Sequence, residues 1–208
     1  MMTGKFITFE GCEGSGKSTQ IRLLCEYLEK NSIPFISTRE PGGSKVAERI
    51  RTVILDADNV EMCDECEALL YAAAREQHLK DIVIPALNAG KLVVCDRYID
   101  SSLAYQGAAR GLGAGFIKSI NSHAMESYPP DLTLFLNISP EAAFSRKHGA
   151  DMNDRMERQG LDFHMKVYEG YLGLLKSYKR IRPIDCGGTK FETHGKIIAL
   201  LKSEGIIN

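Results

Sequence analysis

The sequence has no apolar run long enough to cross a bilayer: uninterrupted stretches such as "LVVC" (92–95) and "IIALL" (197–201) fall far short of a spanning helix. It also lacks an excess of either charge. Lys and Arg total 26 against 27 Asp and Glu, which removes any bulk electrostatic case for a nucleic-acid or membrane partner. The amino terminus "MMTGKFITFE" has no apolar signal core and runs directly into a strand-like segment, so a cytoplasmic protein is expected. Of six cysteines only Cys63 and Cys66 form a C-x-x-C, and no second pair has ligand spacing; the two read as reduced thiols rather than half a zinc site. There is no internal repeat and no low-complexity tract. The 208 residues are therefore expected to form one domain, 1–208, able to bury roughly 70% of its unfolded surface without a staple.

Five short β-rich runs are present: "FITF" (6–9), "PFIST" (34–38), "LVVCD" (92–96), "LTLFLN" (132–137) and "RIRPID" (180–185). Runs apolar at successive positions suit parallel strands covered on both faces. Helix-period segments lie between them. "KSTQIRLLCEYLEKN" carries Ile21, Leu24, Cys25 and Leu28 on one stripe, and "ECEALLYAAAREQHLKDIVIPALNAG" reads as one long helix closed by Pro85 and Gly90. This alternation predicts an α/β fold with a five-stranded parallel sheet between helical layers. Two glycine-rich patches, "EPGGS" (40–44) and "QGAARGLGAG" (106–115), are expected as loops at the strand carboxyl ends, where such folds bind ligands.

The segment "GCEGSGKS" satisfies G-x-x-x-x-G-K-[ST] at Gly11, Gly16, Lys17 and Ser18, after a strand and before a helix as that motif requires. Its backbone N–H groups and the helix amino terminus would cradle an anion. In such a P-loop, residues Gly11, Cys12, Glu13, Gly14, Ser15, Gly16, Lys17, Ser18 and Thr19 bind ATP, Lys17 reaches the β/γ-phosphates, and the Ser18 hydroxyl ligates Mg²⁺. "KLVVCD" ends in Asp96, the strand-end carboxylate expected to share the metal. Glu13 is the anomaly: a carboxylate inside a loop built for phosphate.

No N-K-x-D is present to read guanine, so a GTPase switch is excluded, and motor ATPases of this type are usually larger. A second basic constellation instead suggests a phosphorylated second substrate. Arg39 closes the second strand, Arg97 follows Asp96 directly, and Arg75 lies four residues after Tyr71 on one helix face. An aromatic ring beside a guanidinium makes a nucleobase clamp, although Tyr71 alone also reads as an ordinary core aromatic.

Taken together, "FEGCEGSGKST", "TREPGGS", "LLYAAAREQH", "VCDRYIDSSLAYQGAAR", "PDLTLFLNISPE" and "NDRMERQGLDFHMKVYEGYLGL" resemble thymidylate kinase in content, order and spacing over nearly the whole chain. The resemblance implies the three-layer P-loop NTPase fold with a short lid at about 145–158, a homodimer, and ATP-dependent phosphorylation of dTMP to dTDP with Mg²⁺. It implies that Glu13 faces the acceptor near its 3′-hydroxyl rather than ATP. It further implies that Arg39 and Arg97 grip the dTMP phosphate, Tyr71 stacks on thymine, and Arg75 faces thymine O4. Ser101, Ser102 and Gln106 then contact base or sugar, and Tyr105 crowds the 2′ carbon. Because residues 12–15 contain no arginine, the catalytic cation must come from the lid, with Arg155 first and Arg158 second; Arg146 matches the residue against adenine. Another nucleoside monophosphate kinase, or an inactive nucleotide-binding regulatory module, are the alternatives to a dTMP kinase.

Overall fold

The computed structural model describes residues 3–146, 155–156 and 159–208, with Arg146 described by its backbone alone. Its strands are β1 (Phe6–Glu10), β2 (Phe35–Arg39), β3 (Leu92–Asp96), β4 (Leu132–Asn137) and β5 (Ile181–Asp185). They form one all-parallel sheet in the order β2-β3-β1-β4-β5. α1 (Lys17–Lys30) follows β1, and α2 (Lys45–Leu55), α3 (Asp64–His78) and α4 (Ile84–Asn88) connect β2 to β3. Next come α5 (Ile99–Ser102), α6 (Gly113–Ile120) and α7 (Ser122–Ser127), then α8 (Pro140–Arg146) and α9 (Leu161–Ser177), and finally α10 (Lys190–Ser203) after β5.

The period of two along each strand decides which helical layer a side chain meets. Ile7, Phe9, Leu92, Val94, Leu132, Leu134 and Leu136 pack with Leu24 and Leu28 of α1 and Ile197 and Leu201 of α10. The intervening Phe6, Val93 and Cys95 pack instead with Leu79, Val83, Tyr98, Leu103 and Ile117 on the other face. Continuous apolar runs are thus split between two cores. This is the three-layer α/β arrangement expected from the sequence.

Two local expectations need correction. The segment from Glu65 to Gly90 is not one helix: α3 and α4 are joined by a π-helical turn, Leu79–Val83. Pro85 does not end the segment; it sits in the first turn of α4, where a missing N–H is tolerated, and Gly90 at φ 72 closes the element. The patch 106–115 is largely helical rather than a loop. Leu103–Ala109 forms a second π-helical turn, and α6 starts at Gly113.

A buried ion pair ties the layers together. Asp100 in α5 is fully buried and receives both Arg180 Nη1 (2.6 Å) and Nη2 (2.8 Å), while the Thr133 hydroxyl of β4 donates at 3.1 Å. Removing one partner of such a pair strands the other charge. Asp100→Ala is expected to lower the unfolding free energy by about 3 kcal/mol, the lower end for a buried pair, because Arg180 keeps some access to water. Urea denaturation measures this directly.

Candidate active site

β1 ends at Glu10, and the chain turns through the glycine-rich loop before entering α1 at Lys17. Gly14 (φ 74) packs so closely that a Cβ there would lie 2.7 Å from the Ala143 carbonyl. Gly16 (φ 93), the residue before α1, would place a Cβ in open space. The loop is therefore wedged against α8 on one side and open on the other. Among the described residues no side chain caps α1, so its first N–H groups are available to an anion. The buried Ser15 hydroxyl has no hydrogen-bond partner among the described residues. Lys17 is buried, and among the described residues its Nζ donates to the loop's own carbonyls, Gly11 O (3.1 Å) and Cys12 O (3.2 Å). Burial first, and Arg97 second, push its pKa down. A cation held in this way gains from any phosphate that arrives.

The residues expected to hold a metal fit that task. Asp96 Oδ1 at the end of β3 is buried and lacks a hydrogen-bond partner among the described residues, and Ser18 is exposed on the first turn of α1. No cluster of three or more His, Cys, Asp or Glu that could hold a metal occurs among the described residues. A cation shared between one carboxylate, one hydroxyl, water and phosphate oxygens is the Mg²⁺ pattern.

Beside this loop lies a cavity of about 90 Å³. Its boundary with the loop is made by Glu13 and Arg97, whose side chains are paired through Arg97 Nη2. Arg97 adopts φ 67, a left-handed conformation costly for a side-chain-bearing residue, by about 1–3 kcal/mol. Its neighbours hold it there. The Arg97 N–H donates to Phe9 O (2.9 Å), and Nη1 donates to Gly11 O (3.1 Å) and Ser101 Oγ (3.2 Å). The guanidinium carbon lies 5.0 Å from the centre of the Tyr105 ring. Beneath it, Glu10 accepts from Tyr98 N–H (2.8 Å), Ser101 Oγ (2.6 Å) and Tyr171 Oη (2.7 Å). Burial, and then the charge of Asp100, push the Glu10 carboxyl up to about 7.

The far wall carries Tyr71 and Arg75 on α3 with Ser102 and Gln106. Arg75 is buried and fixed on three sides: Nε to Glu40 (2.8 Å), Nη1 to Asn121 Oδ1 (2.5 Å) and Nη2 to Ser102 Oγ (3.1 Å). Glu40 also accepts from His78 Nδ1 at 2.9 Å, and the Glu40–Pro41 peptide is cis. Burial raises the Tyr71 phenol above its usual range, so the ring is neutral.

Two of the expected arginines lie away from the places the sequence reading gave them. Arg39 does not line the cavity: it is exposed and bonds Glu48 of α2 at 2.9 and 3.0 Å. Side chains at successive strand positions point to opposite sides, so the turn at the end of β2 sends Glu40 inward and Arg39 outward. The arginine at that wall is Arg51 of α2, which donates to Pro41 O at 2.9 Å. Arg155 does not sit at the phosphate loop. Its guanidinium is buried on Glu67 of α3 and on Ile54 O (3.1 Å), and its N–H donates to Leu55 O (3.2 Å). Among the described residues Glu67 is the carboxylate that pairs with it, and that contact holds Arg155 on the acceptor side, where Met156 also lines the cavity. Most of the expected lid, including Arg158 and the Arg146 side chain, lies outside the described residues.

A sequence model of the thymidylate kinases matches residues 9–197. The chain belongs to the thymidylate kinase family. It is 53% identical over 188 residues to the thymidylate kinase of Clostridium novyi (strain NT), covering 89% of this chain and 92% of that one. It is 46% identical over 202 residues to the thymidylate kinase of Finegoldia magna, covering 97% and 100%. With the thymidylate kinase of Symbiobacterium thermophilum it shares 46% over 198 residues, covering 95% and 92%. Sequence reasoning for this thymidylate kinase family member missed Arg51, Glu40 and Glu67. Arg51 and Glu67 lie outside the segments singled out by motif, and Glu40 lies inside "TREPGGS" but was given no role. The available signal was spacing: Glu67 lies four residues before Tyr71 and eight before Arg75, on one helical stripe.

Proposed function

We propose that the protein transfers the γ-phosphoryl group of ATP to dTMP, giving dTDP and ADP. The observation that carries this reading is the junction itself. A phosphate loop and a half-open cavity lined by Tyr71 and Arg75 meet at one Glu–Arg pair, so two nucleotides can approach through their phosphates. The loop 11–19 takes ATP, with Lys17 on its β/γ-phosphates, and Ser18 and Asp96 would hold Mg²⁺. The ion supplies neutralisation of phosphate charge when bound. In the cavity, Arg97 and Arg51 take the dTMP phosphate, Tyr71 lies against thymine, and Arg75 donates to O4. Glu13 accepts from the sugar hydroxyl, a charge-assisted bond that its pairing with Arg97 keeps compatible with nearby phosphate. Tyr105 narrows the space at the 2′ carbon.

Phosphoryl transfer has a loose transition state, so positioning and charge neutralisation dominate. The acceptor phosphate is already anionic at neutral pH and needs no general base. The further cation comes from the segment 145–158. Arg155 remains our choice, in a step where it exchanges Glu67 for the transferring group. A homodimer is part of the same reading.

A coupled ADP-release assay with ATP and dTMP, dUMP, dCMP or AMP tests the proposal. Turnover should be fastest with dTMP, and AMP turnover comparable to that of dTMP would overturn it.

A further inference from the structure

We infer that Glu67 sets the base specificity of the acceptor cavity by fixing which end of the Gln106 amide faces the base. The inference rests on the proposed dTMP reading and deepens it. Glu67 is fully buried in α3 and is not among the residues lining the cavity, which it reaches through Gln106. Its carboxylate receives Gln106 Nε2 at 2.8 Å, Arg110 Nη2 at 3.1 Å and the guanidinium of Arg155. A carboxylate between two guanidinium groups can only accept. The nitrogen end of the Gln106 amide is therefore committed to Glu67, and Oε1 is left for the cavity.

That choice has chemical content because an amide is the one side chain that can present a donor or an acceptor by turning over. Gln106 lies on the π-helical turn Leu103–Ala109 and is 2% exposed, so water does not share the decision. Arg75, whose own orientation is fixed by Glu40, Asn121 and Ser102, offers N–H on the same wall. The wall thus pairs a donor with an acceptor. The carbonyl O4 and N3–H of thymine or uracil complement that order. Cytosine presents an amine and a lone pair instead, so its donor faces the Arg75 donor and its acceptor faces Gln106 Oε1. Glu67 is a positioning residue: it acts on the base through Gln106.

The test is kcat/KM for dTMP and dCMP in the parent, Glu67→Gln, Gln106→Leu and the double variant. A glutamine at 67 can itself accept or donate, so the lock on Gln106 is released. The dTMP to dCMP ratio should fall about tenfold or more, chiefly through KM for dTMP, a fraction of the roughly 10⁴-fold rejection that fixed polar partners can give. In the Gln106→Leu background the same change should alter the ratio by less than about twofold, since no amide remains to turn. Equal losses on both nucleotides would assign Glu67 a scaffold role and overturn the inference, as would an equal ratio change in both backgrounds. Where Glu67→Gln does not fold, Glu67→Asp carries the same measurement, keeping the charge while drawing it back from Gln106. Failure of the underlying reading shows separately, as a parent enzyme with no dTMP turnover.

Discussion

Replacing Arg97 with alanine is expected to lower kcat/KM for dTMP by roughly 10³-fold or more, within the range that a transition-state arginine supplies in phosphoryl transfer. The effect has two sources. The acceptor phosphate loses its main cation, and Glu13 is left as an uncompensated carboxylate at the meeting point of two phosphates. The second source makes a distinctive signature. Adding Glu13→Ala to Arg97→Ala should restore part of the lost binding, so the double variant should bind dTMP more tightly than Arg97→Ala alone, even though each single change is harmful. Steady-state kinetics of the four-member cycle measures this. Strict additivity of the two losses would show that Glu13 and Arg97 act independently, against the pairing seen here. Arg97→Lys should not rescue, because one ammonium cannot span Gly11, Ser101 and Glu13 as the guanidinium does.

Lys17→Ala is expected to reduce kcat at least about 10³-fold while leaving dTMP binding nearly intact. Among the described residues Lys17 donates to two loop carbonyls, and its charge is disfavoured by burial. Its removal should therefore cost the ligand-free fold little. The contrast appears when nucleotide is added. The parent should gain about 2.7 kcal/mol of stability at a nucleotide concentration one hundred times Kd, and the variant, with a weakened Kd, much less at the same concentration. A thermal melt with a non-hydrolysable ATP analogue, read beside a melt with dTMP, separates the two pockets. Equal stabilisation of parent and variant by the analogue would remove Lys17 from the phosphate site.

The fold was legible in the sequence because buried parallel strands advertise themselves. All five runs became strands, with ends displaced by a residue at most. What remained hidden were features without a local signature. Pro85 was read as a stop because a π-helical turn, which lets a helix continue past it, leaves no mark in a hydrophobic pattern. At the site, the phosphate loop was visible because its glycines and lysine lie within eight residues. The acceptor wall was less so. Arg39 and Arg51 are both arginines near the same loop, and only the direction in which β2 ends decides which of them enters the cavity. Glu67 is a buried anion whose three partners come from residues 39, 43 and 88 positions away, a separation that no motif spans.

The Glu13–Arg97 pair also answers why a carboxylate belongs in a phosphate loop. An anion arriving in the acceptor cavity meets a guanidinium that already has a tethered competitor. Inorganic phosphate or a stray organic acid brings charge alone and must displace that resident for little return. A nucleoside monophosphate brings a ring and a sugar whose contacts make the exchange favourable. On the proposed reading, the carboxylate would act as a filter on entry, disfavouring small anions that bring no base or sugar contacts.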